Sequence, residues 1–458
     1  MSNAAQETST NSLPDELPTN PLQQRIDGRE SRNLLVLALH SICLRIGWIF
    51  KTESVVMPSF VDSISGGSGW IRGFLPILNR IGQSVPPLIF APTLRDKRLK
   101  YLSLVGTSGM MATLFLTLAG YVAIKGNNYP TWFPYGFLVL YLLFFCATGL
   151  NQLVFGVIQG KLIRPHRRGR LMATSGIVGS LAAIACAWTL LQRWCDRPDG
   201  GFSSIFGFAG GGFVVAAATL FLLKEPADAP AEPTPRINHF SNALRILKAD
   251  RNLRRLSYVA MMFVTAQLLL PHYNRLGRDQ FEGQSVPMMV WVVAQNAGAG
   301  LLSLIAGAIA DRYGNRLAMR WTVSGAALSP VVALAMTRFG MGSINTYWIA
   351  FFALGALPTT FKILNNYALE LTDRTNHAQY ISTLKLSMTI PLLASPLVGW
   401  LAEPSRLGFT VVFLSTSAIT SIGAIMTFWI IEPRHHPELM QGNPSHQASG
   451  GRQPGDDA

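Results

Sequence analysis

The feature that most constrains this chain is a series of long apolar runs separated by short polar loops. A helix that crosses a bilayer needs about 20 mostly apolar residues. Runs of that length fall at 33–58, 69–92, 101–124, 132–160, 171–192, 203–223, 254–274, 285–310, 317–337, 344–367, 379–401 and 408–431. In hydrocarbon every backbone polar group must be satisfied internally, and runs this long do so as helices. The pattern predicts an all-α integral membrane protein with twelve transmembrane helices. The longest internal connection, a cytoplasmic linker over 224–253, divides them into two six-helix bundles, 33–223 and 254–431, a 6+6 pseudo-repeat. Only 14% of the 458 residues are charged, against about 25% in soluble chains. Residues 1–32 and 432–458 read as disordered cytoplasmic tails. The first lacks the basic, apolar and small-residue series of a cleaved signal peptide.

The net charge of +14 reads as orientation, not as nucleic-acid binding. Arg95, Lys97, Arg98, Lys100, Lys161, Arg164, Arg167, Arg168, Arg170, Arg312, Arg316, Arg320 and Arg374 fall in loops on one side. They outnumber Lys125, Arg193, Arg197, Arg275, Arg278, Arg338 and Arg406 on the other. Basic loops stay inside, so both termini are expected to be cytoplasmic, in the inner membrane. Trp70, Trp132, Trp194, Trp348 and Trp400 then mark outer span ends, as an aromatic belt does. The linker opens with Pro226, Pro230, Pro233 and Pro235. It closes with Leu244, Ile246 and Leu247 among Arg245, Lys248 and Arg251, which suits either a basic amphipathic surface helix or the start of span seven. Cys43, Cys146, Cys186 and Cys195 have no metal or redox spacing. His435, His436 and His446 are too scattered to form a metal site. No cofactor is expected.

Ionisable residues inside spans are costly and mark a pathway by default. Arg45 lies 12 residues past Asn33, and Arg80 lies 12 residues before Pro92 on a span running the other way. Both reach about 18 Å at 1.5 Å per residue. Lys362 and Lys385 lie near the inner ends of spans ten and eleven, where they either snorkel or face a pathway. Carboxylates are scarce: Glu53 is expected at the outer end of span one and Glu370 at the inner end of span ten, with none at the midplane. That set favours an anionic or zwitterionic solute. Glu53, Glu370 and His40 are the candidate proton carriers, His40 also reading as a packed, hydrogen-bonded histidine. Arg72, Asn79 and Gln83 fall within about 40° on span two. With Asn151 and Gln152 on span four, and Gln295 and Asn296 on span eight, they are expected to line a wet cavity.

The loop Gly307-Ala-Ile-Ala-Asp311-Arg312-Tyr313-Gly314-Asn315-Arg316 resembles the signature loop of the major facilitator superfamily, with Asn315 replacing its first basic position. The corresponding first-half loop, Ala91 to Arg98, keeps charge but loses both glycines and reverses the Asp-Arg order. The twelve-span, six-plus-six layout resembles the same superfamily over nearly the whole chain. The resemblance implies a secondary transporter working by alternating access around a midplane site, with Gly307, Asp311, Arg312, Gly314 and Arg316 as a gating motif. Gly307 is expected to permit close helix approach, Asp311 to cap or pair, and Gly314 to permit a tight turn. Expected partners are a small-molecule substrate, a coupling ion (proton or counter-anion) and membrane lipid, with no nucleic acid and a monomeric state. The alternatives are a non-transporting receptor or scaffold of the same fold, and a lipid or lipophile translocator. No phosphate loop, His-Glu-x-x-His or nucleophile elbow points to an enzyme.

Overall fold

The computed structural model describes residues 28–432, except 127, 196, 198–199, 229–238, 282–283, 285–286, 339–341 and 373–376. The expected tails over 1–27 and 433–458, with His435, His436, His446 and the Arg374 loop, lie outside the described residues. Among the described residues eleven helices are long and apolar enough to cross a membrane. The twelfth, span two at Gly69–Asp96, interrupts its apolar run with Arg72, Asn79, Arg80 and Gln83. The chain is all-α, with twelve spans in two sets of six.

Span one departs most from expectation. It begins at Glu30, because the buried Glu30 carboxylate accepts from the Arg164 N–H (2.9 Å) and pairs with Arg167 (3.3 Å) at the start of span five. It does not end near residue 58. Glu30–Ile49 stops, Phe50 to Val55 turn, and Val56–Ser65 continues. Span seven stays helical through Arg251–Gln280 but tightens to a 3₁₀ stretch at Thr265–Leu269, between Arg251–Val264 and Leu270–Gln280. Equivalent helices of the two halves thus depart from regular α-helix midway, span one by a true break, which presents backbone and polar side chains at depth. Spans three, four and six are continuous through Tyr101–Lys125, Phe133–Leu162 and Phe202–Thr219. Spans eight to twelve occupy Met288–Tyr313, Asn315–Thr337, Trp348–Glu370, His377–Leu401 and Gly408–Trp429. In the linker, His239–Ala249 is helical and packs on span eleven.

The first half is bolted by aromatic rings: Phe60 meets Phe137, Phe206 and Phe202, and Phe115 meets Phe144 and Phe213. At the end of the bundle nearer the chain termini, Lys161 joins Glu225 and Asp228, each at 2.7 Å, and Lys100 also binds Asp228. Burial raises the Asp228 carboxyl, but hydrogen bonds and charge from Lys100 and Lys161 outweigh it and hold the group below its ordinary 3.8.

Candidate functional site

Two features of local sequence build the centre. Lys51-Thr52-Glu53-Ser54 interrupts an apolar run, and Thr52 closes the first segment by donating to the Ile49 carbonyl (2.6 Å). The turn buries Lys51, whose ammonium sits 3.4 Å over the Trp48 ring and 4.2 Å from Phe145, and pairs with Glu53 at 2.8 Å. Glu53 also accepts from Asn79, which in turn accepts from Gln83, one turn along span two. Glu53 is therefore not at the outer end of span one, as its sequence position suggested. The span runs on to Ser65, which puts the turn at the level of Arg80. A carboxylate does lie at depth.

Arg80 shares a small pocket with Glu53, Asn79 and Gln267. Its guanidinium donates to Gln267 Oε1 (2.8 Å) in the 3₁₀ stretch of span seven and lies 4.8 Å from the Phe361 ring on span ten. Beside it, a cavity of about 740 Å³ lies between the halves, lined among others by Arg45, Trp48, Glu53, Asn151, Gln152, Gln267, Gln295, Asn296 and Phe361. The Arg45 stem passes Gly179 on span five, and its guanidinium has no hydrogen-bond or ion-pair partner among the described residues. Lys362 donates to Ser303 (3.3 Å) and is near enough to Arg45 for the charges to repel. Lys385, half-buried, stands in the same relation to Arg80.

The neutral polar residues divide. Asn151 spends its amide on Thr107 (3.1 Å) and Ser108 (2.8 Å) of span three, so it chiefly joins helices. Gln295 accepts from Ser54 across the halves, and Asn296 donates to its own helix at Val292 (2.8 Å). His40 is fully buried, donates through Nδ1 to the Ala216 carbonyl (2.8 Å) and stacks on Phe155. It lies in helix packing, away from the cavity lining. Glu370 is half-buried near Tyr367, Asp250 and Glu432 at the end nearer the termini, apart from the cavity. Gln267 and Phe361 were missed in the sequence. A lone glutamine in Val264-Thr-Ala-Gln-Leu-Leu-Leu270 was the available signal.

Arg72 does not face the cavity either. It is buried at the far end of the bundle, where it joins Asp62, the Gly67 carbonyl (3.4 Å) and His272 Nδ1 (3.1 Å). Arg275 and Arg278 of span seven approach the same Asp62 carboxylate at 4.0 and 3.8 Å. Gly69 and Gly73 lie against the Gly399 and Ser395 backbone so closely that a Cβ would collide, and Gly69 N–H donates to Glu403 (3.0 Å). The described bonds joining the halves run from Arg80–Gln267 towards this far end. The cavity lies on the other side of that seal, towards the termini.

In the signature loop, Gly314 has φ +91°, a conformation that favours glycine, and a Cβ there would meet Glu432. Glu432, buried past span twelve, accepts from the Arg316 N–H (2.8 Å). Gly307 does not mediate close approach: a Cβ there would touch nothing within 4 Å, because it faces outward on span eight. Asp311 is exposed and makes no described hydrogen bond or ion pair, while Arg312 lies over its neighbour Tyr313 at 5.4 Å. The buried carboxylate at this turn is thus Glu432, over a hundred residues away in sequence.

The two six-helix halves thus enclose a polar cavity that is sealed at one end. The sequence profile of the Major Facilitator Superfamily matches residues 283–452, and solved transporters match in fold over most of the chain. A variant of the nucleoside transporter NupG has a TM-score of 0.67 at 12% identity, over 87% of this chain and 99% of that one. A POT family transporter in complex with 5-aminolevulinic acid gives 0.67 at 13%, over 88% and 96%. The xylose transporter XylE from E. coli, in an inward open conformation, gives 0.64 at 10%, over 88% and 96%. No curated protein matches the chain in sequence. The second half of the chain thus matches the Major Facilitator Superfamily by sequence profile, and the chain as a whole shares the fold of these solved transporters.

Proposed function

We propose that the chain is a secondary transporter that moves a small polar solute carrying an anionic group, by alternating access, with the present conformation open towards the cytoplasm. The observation that carries this is the Arg45 guanidinium, which lines the central cavity with no acceptor among the described residues. Arg45 is exposed to that cavity and an arginine stays charged, so a substrate anion or water must meet it. Glu53 does not cancel that excess, because it is already held by Lys51 and Asn79. The Glu53 carboxylate instead suits a zwitterion's cationic end or a coupling proton, and a counter-anion is the other coupling ion the cation-rich cavity accommodates.

The test is solute counterflow in liposomes with a panel of small anions and zwitterions, read beside ligand-induced thermal shift. Arg45→Lys and Arg80→Lys should each weaken binding, because an ammonium cannot reproduce the planar fork. Arg45→Gln with Arg80→Gln should abolish binding of anions in monodisperse protein. Normal anion affinity in that double variant would overturn the anionic reading. Binding without ligand-dependent flux would favour a receptor.

A further inference from the structure

A second cavity, about 730 Å³, lies outside the central pathway, between spans eight, nine, ten and twelve of the second half. Leu302, Trp321, Leu328, Phe352 and Phe428 give it an apolar lining, and the exposed Trp321, Leu328 and Phe428 show that it opens at the bundle surface. On a membrane protein that surface is hydrocarbon. At its end nearer the termini stands Arg320. Its guanidinium lies 4.0 Å over the Phe428 ring, and its Nε and Nη2 are covered with no acceptor. One turn away, Arg316 Nε is also without an acceptor, and its Nη2 reaches only the Phe428 carbonyl at 3.5 Å. Glu432, the carboxylate at this turn, faces the Arg316 backbone N–H (2.8 Å). Arg320 therefore borders an apolar groove with Arg316 one turn behind it, and covering a cation's donors without an anionic or other acceptor is costly.

We infer that this groove seats an anionic phospholipid, its phosphate at Arg320 and Arg316 and one acyl chain along span nine. The groove runs from Arg320 to Val332, about 18 Å at 1.5 Å per residue, roughly the depth of one leaflet of a 30 Å hydrocarbon core. Free phosphate has no use for that length of apolar wall. The paired arginines select a net negative head group over a zwitterionic one, as basic residues at the membrane surface do.

The experiment places the full-length protein in phosphatidylcholine nanodiscs doped with brominated phosphatidylglycerol or brominated phosphatidylcholine. Quenching of Trp321 is read as the difference from Trp321→Phe. Half-quenching should need about fivefold less brominated phosphatidylglycerol than phosphatidylcholine. Arg320→Gln should erase that preference and Arg320→Lys should keep most of it. Ser324→Phe, which fills the groove without touching the charges, should reduce quenching by both lipids. Should Arg320→Gln fail to fold, Arg316→Gln and Ser324→Phe carry the same comparison. Equal titrations in the unmodified protein would overturn the site, as would an unchanged preference in monodisperse Arg320→Gln. Release of the lipid by millimolar inorganic phosphate would assign the arginines to a soluble anion and overturn it too.

Discussion

Arg72 of span two donates its Nε–H to His272 Nδ1 of span seven across 3.1 Å, joining the two halves at the end of the bundle far from the termini. The bond requires an unprotonated Nδ1, and the same guanidinium holds Asp62. Arg275 and Arg278 from the opposite half stand at 4.0 and 3.8 Å from that carboxylate. One buried acid thus ties three arginines from two halves, and removing one partner of such a pair leaves uncompensated charge.

Asp62→Asn should therefore loosen the far-end seal. In a cysteine-free background, a cysteine placed at the fully buried Asn274 should be labelled several times faster by an impermeant thiol reagent once Asp62 is changed. An unchanged labelling rate in folded protein would show that backbone contact at Gly69 and Gly399 holds the seal alone.

The signature loop makes a contrast between two glycines. Gly314→Ala forces a side chain into a left-handed backbone and against Glu432, so thermal stability should fall by several degrees. Gly307→Ala meets nothing within 4 Å and should leave melting within about a degree. Asp311→Asn should leave melting unchanged and lower the transport rate more than ligand affinity. Unchanged flux would make this loop a topological signal only.

Orientation is checked by labelling intact cells. Cysteines at Asn128 and Ser405 should react with an impermeant reagent, and one at Arg168 should not, because the basic loops are expected inside. The reverse pattern would invert every directional statement about the cavity.

The clamp of Lys100, Lys161, Glu225 and Asp228 has a definite pH signature. Asp228 is depressed in the folded protein, its bonds to the two lysines outweighing burial. A depressed carboxyl contributes stability above its unfolded pKa, and that contribution is lost as pH falls through the folded value. Melting temperature of the purified protein should then decline from pH 5 downwards, and Asp228→Asn should flatten that part of the profile. Parallel curves for the two proteins would remove Asp228 from the acid transition.

Run length and loop charge alone were enough to read twelve helices and their six-plus-six division, because a bilayer admits few arrangements of such runs. Arg45 and Arg80 were expected at one depth, whereas Arg80 shares its level with Glu53, about two turns further along span one than Arg45. Gly314 was legible too, since its neighbours Asp311 and Arg312 carry the spacing of a known turn. What could not be read was where helices stop midway. Span one's break at Lys51 to Ser54 depends on Trp48, Phe145 and Asn79 receiving those side chains, and no local pattern records that. The break lifted Glu53 from an expected span end to the cavity wall. Partners distant in sequence were equally hidden: Glu432 for the Arg316 turn, Gln267 for Arg80, and His272 for Arg72. Hydropathy reports which residues avoid water, a property of each segment. Which buried charge meets which acceptor is a property of packed neighbours, and only the tertiary structure decides it.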